Sequence, residues 1–169
     1  MDAIRLTIQT LPAVVLASGM NSFETATVVT AAACAGVAGG VYFSFSALVL
    51  PALRTHAAGD AIAAMRAVNV AAVRAPFMLV FFGGAVSAAA IAVVELVGDT
   101  HPARIAGAAL ALAAFGITVV RNVPLNNALA GGSPDWQRFE PRWRRANHAR
   151  AAASILAAVV LGASLADAS

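Results

Sequence analysis

The chain has 169 residues, of which 60% are hydrophobic and 11% charged, and its mean hydropathy is +0.81. Soluble domains carry about 25% charged residues, and a water-soluble fold of this length leaves too much surface wet to hide so much apolar material. Disorder is excluded for the opposite reason, so the composition is that of an integral membrane protein.

About a quarter of the residues are alanine, and the basic residues are 11 Arg with no Lys against 8 acids, a formal charge of +3. In a soluble chain that balance would raise nucleic acid as a partner. Here the arginines flank apolar runs, as headgroups and topology require, so the expected partner is the lipid bilayer and no nucleic acid. The single cysteine, Cys34, lies inside an apolar run and cannot close an intrachain disulfide.

In chain order, Ile4, Ile8, Leu11 and Val15 recur at helical spacing. They predict an amphipathic helix on the membrane surface over 1–24. A signal-like reading of Arg5 and the apolar run ending at Ala17-Ser18-Gly19 stays open beside it.

Four spans follow within 25–169. The first lies within the 29 uncharged residues from Thr25 to Leu53, with Pro51 near its end. Its face of Ala32, Gly36, Gly40 and Ser44 suits close helix packing, which allows a homo-oligomer without specifying one. The second span, about 75–98, contains the 20 uncharged residues from Ala75 to Val94. The third and fourth, about 102–121 and 149–166, each hold 16 uncharged residues. That is short of the roughly 20 a bilayer needs, so their bounding arginines must snorkel or point into the protein. The expected fold is all-α, an integral membrane four-helix bundle with an N-terminal interfacial helix.

Nine of the 11 arginines fall in the segments after the first and third spans, leaving Arg5 and Arg104 on the other side. The positive-inside rule then gives a multi-pass cell-membrane protein with both large loops cytoplasmic and both termini outside.

Polar groups at membrane depth are the candidates for function. Asp60 can cap a helix between the first two spans, on which Ile62, Met65, Asn69 and Val73 form one stripe. Asn69 therefore faces inward, either to bind or to tie down another helix end. Pro124 is expected to break the third helix, with Asn122 and Asn126 beside the break either satisfying freed carbonyls or lining a cavity. The segment from Ala128 to Pro141 reads as a flexible lid or a plain connector. Beyond it, Trp136, Trp143, Asn147, Arg150 and Ser154 share one helical face apart from any break at Pro141, while Arg144, Arg145 and His148 point elsewhere. Interfacial tryptophans are usually anchors, but anchors need neither the amide nor the guanidinium. A polar pocket at the cytoplasmic end would collect Asn69, Asn122, Asn126, Trp143, Asn147 and Arg150.

His56, His101 and His148 lie on separate segments without metal-ligand spacing, so no metal site is expected. Neither a phosphate-binding loop nor a dinucleotide fingerprint is present.

Several strings resemble a family of small four-helix membrane proteins that includes the anthrone oxygenases of aromatic polyketide pathways. They are Gly36-x3-Gly40-Val41-Tyr42-Phe43 with Leu50-Pro51-Ala52-Leu53, Met65-x3-Asn69, Asn122-Val123-Pro124-Leu125-Asn126, and Trp143-x3-Asn147-x2-Arg150. The resemblance covers about residues 30–162. It implies a monooxygenase using no cofactor, neither metal nor flavin, that joins O2 to a small lipophilic aromatic substrate, an anthrone, to give a quinone. In that reading Asn147, Arg150 and His148 are catalytic, and Asn69, Asn122, Asn126, Trp143 and Trp136 hold the substrate. The alternative is a non-catalytic membrane protein that binds a lipophilic ligand or a partner subunit in the same pocket.

Overall fold

A computed structural model describes residues 21–98, 100–132 and 135–166, and these are helical with no strand among them. Four helices are long and apolar enough to cross a membrane. They are α1 (Ser22–Leu53), α3 (Ala75–Val97), α4 (Pro102–Ala130) and α5 (Trp136–Ala166), and a shorter helix, α2 (Ala58–Ala72), joins α1 to α3. Of the stretch 1–24 on which the interfacial-helix expectation falls, residues 1–20 lie outside the described residues, while Asn21 caps α1 and residues 22–24 form its first turn.

Neighbours in sequence are neighbours in space. Helix α1 packs on α3 and α5, and α4 packs on α3 and α5, so the four spans form an antiparallel ring. Alanine and glycine make the contacts short. A Cβ on Gly39 would lie 3.0 Å from Ile155 Cγ1, and one on Gly107 would lie 2.6 Å from Leu161 Cγ. The expected small-residue face is one residue off: Gly36 and Gly40 are exposed and Gly40 has nothing within 4 Å, because the buried stripe runs through Val28, Ala31, Ala35, Ala38, Gly39 and Tyr42.

Three helix starts and stops differ from the sequence reading. Helix α1 begins at Ser22 because Asn21 and Glu24 form a capping box, placing the acid in the first turn. Asp60 likewise sits in the first turn of α2, while the cap position belongs to Ala57. Pro124, expected to break its helix, does not end it. Pro141 lies inside a continuous α5, where it removes only the bond to Gln137 near the helix start, at an exposed residue.

Pro124 is accommodated differently. The turn before it, Thr118–Asn122, is a π-turn in which the Val123 N–H donates to the Thr118 carbonyl. Helix α1 repeats the device: Phe45–Val49 is a π-turn, the Leu50 N–H donates to the Phe45 carbonyl, and Pro51 follows. A proline ring clashes with the carbonyl four residues back, and the wider turn carries that carbonyl aside. Both helices therefore continue beyond the proline, α1 to Leu53 and α4 to Ala130.

These extensions, with α2 and the first turns of α5, build one end of the molecule. Its core is a buried cluster of Leu50, Ala61, Met65, Leu129, Trp136, Phe139 and Trp143. Arg66 clasps it, with Nε and Nη2 donating to the Leu129 carbonyl at 2.9 and 2.7 Å. Arg54 pairs with Glu140 at 2.6 Å. At the other end Glu95 and Arg104 form a buried ion pair at 3.2 Å, and the Glu95 carboxylate also accepts the His101 N–H at 2.7 Å.

Candidate functional site

Just inside the plugged end the bundle holds a hollow of about 540 Å³, within the roughly 300–1,000 Å³ usual for small-molecule sites. The five helices all contribute to it: Val41, Tyr42 and Phe45 from α1, Met65 and Asn69 from α2, Phe77, Met78, Phe81 and Phe82 from α3, Thr118, Val119, Val123 and Asn126 from α4, and Trp143 and Arg150 from α5.

Arg150 is the centre of its polar wall. It is 7% exposed and lies in the middle of α5, where the uncharged run of that helix begins. No carboxylate lies within ion-pair reach of it among the described residues, where the ion pairs are Arg54–Glu140, Arg104–Glu95 and Arg144–Glu140. An unpaired buried charge is costly, and here neutral dipoles and ring faces hold it. Nε and Nη2 donate to Asn147 Oδ1 at 3.1 and 2.9 Å, and Nη1 donates to Thr118 Oγ1 at 3.3 Å. The guanidinium carbon stands 4.0 Å from the Tyr42 ring centroid and 5.2 Å from that of Trp143, a cation–π arrangement. A guanidinium has five N–H donors, so two remain for a ligand.

The π-turns supply the acceptors. Thr118, in the α4 π-turn, donates its hydroxyl to the Ala114 carbonyl at 2.9 Å, which leaves its oxygen to accept from Arg150. Ser46, in the α1 π-turn, accepts from Asn147 Nδ2 at 2.9 Å, and the same amide nitrogen donates to the Tyr42 carbonyl at 2.8 Å. Every hydrogen of the Asn147 amide is thus used inside the protein. Its oxygen is thereby held toward the Arg150 guanidinium.

Around this wall, several polar groups are left without partners. The Asn69 amide nitrogen is buried and unsatisfied. Asn126 accepts the Trp143 indole N–H at 2.8 Å, and its own amide hydrogens and the Tyr42 hydroxyl have no partner among the described residues. Buried polar groups are normally satisfied, so the unpartnered Asn69 amide, beside the spare donors of Asn126, Tyr42 and Arg150, makes the hollow the candidate site. Among the described residues no carboxylate or imidazole lines it.

The structure sorts the residues proposed from sequence into three sets. Asn69, Asn126, Trp143 and Arg150 line the hollow. Asn147 and Asn122 stand behind it, both fully buried, with Asn122 Nδ2 donating to the Trp143 carbonyl at 3.4 Å. Trp136 packs on Phe139 in the plug, at 5.8 Å between ring centroids, and His148 is exposed on α5, so neither reaches the hollow. Tyr42, Ser46 and Thr118 were not singled out as site residues from the sequence. The available signal was polar: Tyr42 is the chain's one tyrosine and lies amid an uncharged span.

A family model described as anthrone oxygenase matches residues 68–160, more than half of the chain. The match begins at the C-terminal part of α2 and includes every lining residue of α3, α4 and α5, whereas α1 with Tyr42 lies outside it. No curated protein and no solved structure matches the chain.

Proposed function

The chain belongs to the anthrone oxygenase family, and on that basis we propose that it oxygenates a lipophilic polycyclic phenol of the anthrone type to a quinone. Arg150 carries the reading: a buried guanidinium without a carboxylate, with two N–H donors to spare, faces an apolar hollow large enough for a fused-ring ligand. Such a group selects a ligand that is, or becomes, an anion.

An anthrone fits that requirement. Loss of a C10 proton puts negative charge on the oxygen across the ring, and Arg150 with the Asn126 or Asn69 amide binds that oxygen. Fixed donors in a dry site favour developing charge more than water does. The carbanion passes an electron to O2, the radicals combine to a C10 peroxide, and loss of water with the second C10 proton leaves a carbonyl. The sum is CH2 plus O2 giving C=O plus H2O, so substrate and dioxygen balance without another reductant. With His148 outside the hollow, a bound water is the acceptor of the first proton. Phe45 and Trp143, with ring centroids 5.5 Å apart, offer faces for the rings. The substrate class is that made by aromatic polyketide enzymes. By the distribution of arginines we place the hollow in the cytoplasmic leaflet.

A second reading, binding without chemistry, draws support from the lining, which among the described residues holds no carboxylate or imidazole. One assay separates the two. Purified protein is given emodin anthrone while oxygen uptake and quinone absorbance are followed. Oxygenation predicts a rate above buffer that the Arg150→Ala and Asn147→Ala variants lose. Wild type matching both variants and buffer sinks the oxygenase reading, and tryptophan quenching by the same ligand would then leave the binding reading standing.

A further inference from the structure

We propose that the hollow is loaded sideways from the bilayer, through the seam between α3 and α4, and that its ligands are therefore compounds dissolved in the membrane rather than in water. The proposal rests on the hollow being the ligand site and not on any oxygenation.

The distribution of exposure along the lining is the first observation. Its exposed residues are all apolar: Val41, Ala71, Val73, Phe82, Val119 and Val123. Its polar residues, Tyr42, Asn69, Thr118, Asn126, Trp143 and Arg150, are buried or half-buried. A pocket filled from water would show polar groups at its mouth. This one shows hydrocarbon at the mouth and donors at the inner end.

The second observation is that the nearer aqueous end is shut. The plug of Leu50, Leu129, Trp136 and Phe139 is buried, and Arg66 and Arg54 tie its helices together.

The third is the origin of the seam. Helices α3 and α4 touch at the Phe81–Phe115 stack, 4.6 Å between centroids, and at the Phe82–Phe115 edge contact, 6.0 Å. Below that contact α4 enters its π-turn and α3 approaches its first residue, Ala75. Val119 (44% exposed) and Val123 (41%) on α4 and Phe82 (53%) on α3 flank the gap left there. Bare valine and phenylalanine at that depth meet acyl chains.

This geometry also assigns an orientation. The ligand's ionised oxygen reaches Arg150 and its apolar end trails toward the seam, so a long alkyl chain at the far end can protrude into lipid instead of being crushed.

The test uses the full chain in phosphatidylcholine vesicles, with emodin as probe and quenching of the native tryptophans as readout. Phe82→Cys and Val119→Cys are placed in a Cys34→Ala background and joined by a flexible, reducible thiol bridge. The bridged protein is expected to bind emodin about tenfold or more slowly, within the range over which association rates respond to a blocked path, and to recover the unbridged rate on reduction. That recovery excludes misfolding as the cause. A long-chain alkyl ether of emodin should bind as tightly as emodin at equal mole fraction in the bilayer. Bridged protein loading at the unbridged rate overturns the proposal, as does faster loading on opening the plug with Leu129→Ala. Equal binding by Arg150→Ala and wild type would instead show that the hollow is not the site.

Discussion

Arg150 and its neighbours separate residues that bind from residues that position. Arg150→Ala removes two spare donors and, among the described residues, the only cation of the hollow's lining, and a hydrogen bond to a charged group contributes about 1.5–3 kcal/mol. Affinity for emodin should therefore fall by roughly ten- to a hundredfold in tryptophan-quenching titrations. Arg150→Lys should not restore it, because a lysine ammonium cannot span Asn147 and Thr118 in a planar fork. Asn69 gives the contrasting case. Its amide nitrogen has no protein partner, so Asn69→Leu should weaken emodin binding while leaving thermal stability equal or higher. Asn147→Leu should lower both, since it strips the Tyr42 carbonyl, Ser46 and Arg150 of their partner. Equal melting temperatures for the two variants would contradict this division.

The helices show what periodicity reveals and where it stops. The stripe of Trp136, Trp143, Asn147, Arg150 and Ser154 is buried along α5 as helical arithmetic places it, because that helix is regular and continuous. The uncharged windows likewise locate the four spans. The sequence does not announce the π-turns. A proline reads locally as a stop, and whether the preceding turn widens depends on partners from other helices, here Asn147 for Ser46 and Arg150 for Thr118. That is why α4 outruns the window ending at Arg121, and why Ser46 and Thr118 do not stand out in the sequence. Packing between helices is equally local in its demands. A Cβ at Gly107 would sit 2.6–2.7 Å from the Leu161 side chain, and such overpacking costs about 1–3 kcal/mol. Gly107→Ala should lower the melting temperature, and combining it with Leu161→Ala should cost less than the sum of the two singles.

On the scale of the whole molecule the two ends differ in kind. One carries the plug, the hollow and most of the arginines; the other is a short α3–α4 hairpin pinned by Glu95 and Arg104. Removing one partner of a buried ion pair leaves an uncompensated charge and costs about 3–5 kcal/mol, whereas replacing both with apolar groups is often close to neutral. Glu95→Gln and Arg104→Met should each melt earlier than the double variant in detergent thermal scans. Sidedness is testable with single cysteines in the Cys34→Ala background. Arg138→Cys, exposed at the plugged end, should react with an impermeant maleimide only from the cytoplasmic side, and Ser22→Cys only from the outside. The reverse pattern would invert the orientation proposed from the arginines.

A seam walled by Phe82, Val119 and Val123 bears on how the protein is extracted before any assay begins. Amphiphiles with an aromatic ring and a slim tail are shaped to slip between these side chains and lodge beneath Arg150, whereas bulky sugar-headed surfactants are not. Solubilisation in an alkylphenyl surfactant should then act as a competitive inhibitor, raising the apparent Kd for emodin in proportion to its micellar concentration, and exchange into a maltoside should reverse the effect.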